Sequence, residues 1–331
     1  MKPGLLLLAV IFALSNPCSA RAGGSLIVCN KGEQTMGIID PVAGQQVATV
    51  AEDGITGHEL AASPDGRFAY VPIYGNAGVG SPGTDGSLMR VIDLATKKIS
   101  GTVDFGKGVR PHCVVVGPKN GLLYVTTELE NSITIIDPAT LKIVGSVPTG
   151  QPQSHMLAIT HDGRKGYTAN VAPGTVSVLD LEAKTLLTVI PVCKNTQRIS
   201  ISTDDKWVFT SDQETPRLAV IDTAKNAVDR WIPMPGKGYG TATTPDGQWL
   251  IVPIPGLNKV VAIDLHEMKV AHTLDVPKAP QETLVRPDGA EAYVSCDNSQ
   301  KVAVIDTKSW TVSKLISAGK NVDGLAWAAT P

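Results

Sequence analysis

Three of the six histidines in this 331-residue chain share one register. His58, His112 and His155 each stand six residues before the second residue of a Ser-Pro-Asp-Gly-like turn, at Pro64, Pro118 and His161. Counting back the same distance from Thr203, Pro245 and Pro287 gives Gln197, Tyr239 and Gln281, and matching Gly324-Leu325-Ala326 adds Asp323. All seven occupants are polar, though each opens a segment otherwise rich in Leu, Val, Ile, Ala and Thr. Neutral imidazoles from three such segments could converge on a transition metal, with His58, His112 and His155 as ligands and one position left for water or substrate. A histidine could instead move a proton on a bound carboxylate while an arginine stabilises a developing oxyanion. The third reading is a funnel that binds a small molecule or a protein partner without chemistry. Arg110 and Arg198 flank the same positions and could clamp a carboxylate through paired hydrogen bonds. Lys107, Lys194, Lys237, Lys278 and Lys320 lie in the same connections, and charge of one sign around a concave mouth concentrates an anion.

The elements that must bring these residues together are legible as a repeat. The turn recurs at Ser63 to Gly66, Gly117 to Asn120, Thr160 to Gly163, Ser202 to Asp205, Thr244 to Gly247 and Arg286 to Gly289, at spacings of 54, 43, 42, 42 and 42 residues. Each turn is followed by a β-rich run. A second run then ends at Asp40, Asp93, Asp137, Asp180, Asp222, Asp264 or Asp306, and a Val/Thr/Ile-rich strand comes after it. A period near 42 with four short strands predicts an all-β, seven-bladed β-propeller of four antiparallel strands per blade. Residues 25–50 supply three strands, and Val322 to Ala329 supplies the missing inner one, so the two ends close the ring in one blade. Inner strands surround the axis, and their first residues therefore ring one mouth of the channel. The repeated turn residues and strand-end aspartates are read as structural: Pro presets φ, Asp accepts local backbone bonds, and Gly takes positive φ. One connection is enlarged, from Tyr74 to Ser87, and its five glycines suit a flap beside His58.

Tyr124-Val125-Thr126-Thr127, Tyr293-Val294-Ser295-Cys296 and Tyr167-Thr168-Ala169-Asn170 resemble the YVTN repeat, as do the Ser-Pro-Asp-Gly-Arg and Val-Ile-Asp-Thr elements around it. The resemblance runs over residues 25–329. It lapses at Phe209-Thr210-Ser211 and Ile251-Val252-Pro253. It implies an exported seven-bladed propeller whose wider relatives include lactone-forming or lactone-hydrolysing propellers, haem d1-binding propellers and the propeller domain of nitrous oxide reductases. A lactonase-like or isomerase-like enzyme acting on a lactone or unsaturated carboxylate is therefore the alternative to a binding protein for a small anionic molecule or a metal. Fold alone transfers no reaction.

Composition narrows the classes. A net charge of −2 gives no electrostatic footprint for nucleic acid, and 43% hydrophobic residues against 18% charged exclude a largely disordered chain. Residues 1–22 read as a secretory signal, with Lys2, the apolar run Leu5 to Leu14 and an exit after Ala20 or Ala22. Residues 23–331 then form one propeller domain, periplasmic or secreted, monomeric and without a membrane span. Export permits disulfides among Cys29, Cys113, Cys193 and Cys296. Buried free thiols are the simpler reading, and a Cys29–Cys296 bridge is the pairing that equivalent strands of neighbouring blades allow. No CxxCH motif is present, so covalent c-type haem is not expected. No cofactor is certain: a transition metal or a non-covalent haem-type macrocycle with one axial histidine remains open. A protein partner could dock on the rim.

Overall fold

A computed structural model describes residues 23–330. Residues 1–22, where a secretory signal is expected, and Pro331 lie outside the described residues. Seven four-stranded antiparallel sheets form the blades of a propeller. Six run consecutively through residues 61–104, 111–148, 154–191, 200–233, 242–275 and 280–317. The seventh joins the two ends of the chain. There the inner strand Val322–Ala329 pairs with Gly24–Asn30, with Leu26 opposite Trp327, and Thr35–Asp40 and Gln45–Ala51 complete the sheet outward. Among the described residues no helix is long and apolar enough to cross a membrane.

Local chemistry accounts for the strand boundaries. The Asp40 Oδ1 accepts the amides of Val42 and Ala43, and the equivalent carboxylates of Asp93, Asp222, Asp264 and Asp306 do the same two and three residues on. These aspartates turn the third strand into the fourth. At the Ser-Pro-Asp-Gly turns, the hydroxyl of Ser63, Thr160, Ser202 or Thr244 bonds the aspartate two residues on and accepts an amide five residues on. Both repeated sets are structural, as the sequence implies.

Burial follows position in the blade. The second and third strands are packed on both faces, so Leu123–Thr127 is buried throughout and Ser132–Asp137 nearly so. The outermost strands alternate between exposed and half-buried residues, as in Gln45–Ala51. Apolar clusters fill the seams between blades. Leu26 and Val28 of the seventh blade meet Val302, Val304 and Ile316 of the sixth, while Ile27 and Met36 meet Ala69, Val71 and Ile92 of the first. Cys29 lies in the second of these seams, and Cys296 packs toward the fifth blade with Ile251 and Val260. The two thiols therefore point away from each other. All four described cysteines are free, so the Cys29–Cys296 bridge is not formed.

Candidate functional site

The inner strands are irregular where they reach the mouth. In the second, third, sixth and seventh blades one extra residue is inserted on the inner strand, between Pro111 and Val114, Ser154 and Met156, Pro280 and Thr283, and Val322 and Leu325. In the first, fourth and fifth blades the inner strand shrinks to Ala61–Ala62, Ser200–Ile201 and Ala242–Thr243, and His58, Gln197 and Tyr239 precede it. A bulge bends the strand and re-aims side chains, so the strict alternation of faces fails at the mouth. Two residues before the polar position, five blades place a non-glycine residue in left-handed backbone: Thr56, Arg110, Gln153, Ala279 and Asn321, with φ between 48° and 57°. Glycine serves a different purpose at Gly324 and Gly240. Their amides reach the carbonyls of His58 and Gln281, and a Cβ at either would lie 2.6 Å or less from that oxygen.

This geometry brings the three histidines together. The rings of His112 and His155 lie 3.7 Å apart, and those of His58 and His112 lie 5.4 Å apart. Tyr74, the first residue of the enlarged connection, adds a fourth ring at 4.8 Å from His58, 5.1 Å from His112 and 6.2 Å from His155. His112 and His155 are 1% and 3% exposed. Both ring nitrogens of His112, and Nδ1 of His155, are buried without a hydrogen-bond partner. Burial lowers the His58 pKa to about 4 and pulls His112 and His155 well below the usual imidazole range, with His155 and His58 adding to the shift at His112. All three rings are neutral near pH 7. The metal set expected of them is not assembled as it stands. Among the described residues no group of three or more His, Cys, Asp or Glu is arranged to hold an ion. His112 and His155 meet at 32°, largely face to face, which keeps their in-plane nitrogens from converging.

The enlarged connection is held down beside this cluster. Glu128 is 2% exposed, and its two oxygens accept the Tyr74 hydroxyl, the Gly80 amide at 3.0 Å and Arg110 Nη1 at 3.3 Å. Arg110 also bonds Asp85 Oδ1 at 2.6 Å and the Ser81 carbonyl at 2.7 Å. Burial, reinforced by the bond to Glu128, pushes the Tyr74 hydroxyl well above the usual tyrosine range.

A second layer plugs the axis, built around Glu59, Arg198 and Glu282, each of which follows a ring position, together with Asp323 and Lys31. Arg198, from the fourth blade, donates through Nη1 to Glu59 of the first and to Glu282 of the sixth at 2.9 Å. Its Nη2 lies 3.4 Å from Asp323 of the seventh. Its guanidinium sits 4.7 Å over the Tyr239 ring, and Lys31 Nζ pairs with Asp323 at 2.9 Å. Three carboxylates face two cations. Burial pushes Glu59 up to about 8 and Glu282 up to about 7, against the pull of Arg198. At Asp323 burial is outweighed by Lys31 and then Arg198, so its carboxyl stays below the usual range.

These contacts correct the expectation of an anion clamp. Arg110 and Arg198 are both engaged by the protein's own carboxylates, so neither guanidinium is free in this arrangement. Lys107 pairs with Glu130 at 2.8 Å, and Lys194 lies 3.9 Å from Glu214. Of the seven ring positions, His58, His112 and His155 form one group, and Tyr239 and Asp323 belong to the axial plug. Gln281 lines a cavity with Tyr239, and Gln197 is half-buried. Tyr74, Glu59, Glu282 and Lys31 were not singled out from sequence. A signal existed for two of them: Glu59 and Glu282 put a charge into an inner strand that is otherwise apolar.

Comparison with known proteins adds the following. The model of the Cytochrome D1 heme domain family matches residues 116–233, a stretch that includes His155 and Arg198 but not His58 or His112. A search of the curated proteins finds no match. Among solved structures, Kuenenia stuttgartiensis Hydrazine Synthase superposes with a TM-score of 0.73 at 18% identity, over 89% of this chain and 99% of that one. Dihydro-heme d1 dehydrogenase NirN in complex with DHE superposes with a TM-score of 0.66 at 15% identity, over 95% of this chain and 77% of that one. The chain is a seven-bladed propeller similar to those of the cytochrome d1 type, and at these identities the likeness shows the fold alone.

Proposed function

We propose that this chain is an exported binding propeller whose site is the imidazole cluster of His58, His112 and His155, and that its ligand is a single transition-metal ion. The observation that carries this reading is His112, with both ring nitrogens buried and without a partner. A buried polar group in that state costs roughly 1–3 kcal/mol, and a Lewis acid is the partner a neutral imidazole lacks. The donor set fits the ion. The three rings are already neutral, and His112 and His155 would have to turn out of their stack to face a common point with His58. When bound, the ion would supply Lewis acidity beside the Tyr74 hydroxyl, which Glu128 holds in place.

A haem-type macrocycle does not fit this arrangement. The faces of His112 and His155 cover each other, Tyr74 is 1% exposed above them, and Arg198 with its carboxylates fills the axis. The match to the heme-domain model therefore supports the propeller more than the cofactor. The signal-like residues 1–22 support a periplasmic or secreted site of action.

The test uses cobalt(II) as probe. Protein stripped with a chelator and dialysed is titrated with cobalt(II), followed by its visible absorption and by elemental analysis. One equivalent should bind, and His112→Ala should weaken binding by more than about a hundredfold. Equal uptake by the His58→Ala, His112→Ala, His155→Ala triple variant discards the site.

A further inference from the structure

On the other side of the same mouth, a cavity of about 530 Å³ opens between the fourth, fifth and sixth blades. We propose that this cavity is a second binding site, and that its ligand is a small organic acid with an apolar body. The volume lies within the roughly 300–1,000 Å³ usual for small-molecule sites. One wall is apolar. Ile254 ends the second strand of the fifth blade, and Pro255–Leu257 forms the single 3-10 turn that follows it, leaving Leu257 42% exposed toward the opening. Leu257 lies over Gly236, and its exposed part faces the opening, where a ligand could cover it.

The opposite wall is polar and only partly used. Gln213 lines the cavity and donates from Nε2 to the Gly238 carbonyl at 2.8 Å. Gln281 spends its backbone carbonyl on Gly240 and turns a half-buried amide side chain into the space. Tyr239 forms the base, with Arg198 stacked on its ring. Lys237 stands at the rim. Unlike Lys107 and Lys194, it meets no carboxylate among the described residues. An unpaired cation beside two amides and an apolar wall is complementary to a carboxylate on a flat or branched hydrocarbon. The chemistry differs from that of the imidazole cluster, whose rings are neutral and whose neighbouring arginine is already paired. The two sites therefore stand or fall separately.

The experiment is calorimetric titration with phenylacetate, against 2-phenylethanol, which lacks the charge, and acetate, which lacks the ring. Phenylacetate should bind at least about tenfold more tightly than either, the difference a charge-assisted hydrogen bond makes. Lys237→Glu should remove that preference. Gly256→Trp should narrow the cavity, because Gly256 lines it and a Cβ there meets no atom within 4 Å. The triple histidine variant should bind phenylacetate like the wild type, which separates this site from the metal reading. No binding at millimolar phenylacetate, equal binding of the alcohol, or unchanged binding in Gly256→Trp would each overturn the proposal.

Discussion

Glu52 is a fully buried carboxylate that uses half its hydrogen-bonding capacity. Oε2 accepts the Gly57 amide at 2.7 Å, while Oε1 has no partner. Burial pushes its pKa up to about 7, and the Gly57 bond only partly opposes this. The folded protein thus keeps a proton that the unfolded chain releases from about pH 4.5 upward. The stability linked to that proton is complete at low pH and is lost as pH rises through about 7. Glu52→Gln keeps the acceptor for Gly57 and removes the titration. It should raise unfolding free energy at pH 8 by on the order of 2–3 kcal/mol and change it little at pH 5. Denaturant unfolding at the two pH values measures this, and an equal effect at both would refute it. Nothing in the sequence marks Glu52, because its burial comes from the second strand of the next blade. His58, His112 and His155 were legible because the repeat gave them a common register.

At the scale of the element, the inner strand differs from the regular period-2 strand that the sequence suggests. Alternation puts Glu59, Arg198 and Glu282 opposite the polar ring. Left-handed Thr56 and Ala279 instead re-aim the first- and sixth-blade segments, the sixth with an extra residue as well, and Arg198 precedes the short regular strand Ser200–Ile201, so these side chains reach the mouth too. That left-handed backbone is strained for side chains with a Cβ, by roughly 1–2 kcal/mol. Ala279, at φ 55°, is the cleanest probe, because its amide bond to Asn258 Oδ1 at 3.0 Å survives substitution. Ala279→Gly should leave stability unchanged or raise it by up to about 1 kcal/mol, the strain relief being offset by glycine's greater entropy loss. Ala279→Val should lower the thermal midpoint, since a β-branched residue resists positive φ. A valine variant that melts with the wild type would show that the turn is not strained.

For the whole molecule, the axial plug is the feature that links distant blades. Arg198 reaches from the fourth blade to the first, sixth and seventh, and Lys31 ties the amino-terminal part of the seventh to its carboxy-terminal strand through Asp323. Removing the Arg198 cation leaves buried Glu59 and Glu282 without a counter-charge, while Asp323 keeps Lys31. Arg198→Met should destabilise the protein by about 3–5 kcal/mol, the usual cost of breaking a buried ion pair from one side. Adding Glu59→Gln and Glu282→Gln should restore part of that loss. Denaturant midpoints of the three proteins decide it: a single variant as stable as the wild type would mean that the plug contributes nothing to closing the ring.

The sequence determined the blade count, the four-strand order, the turns and the closure of the ring by its two ends, because each is a local pattern repeated every 42 residues or so. It also set seven polar residues in one register. It did not determine what those residues face. Whether a guanidinium meets a ligand or three carboxylates from other blades depends on which side chains the circle places across the axis. Only the closed structure sets that pairing, since the partners are 84 to 139 residues apart along the chain and no local rule of strand or turn relates them.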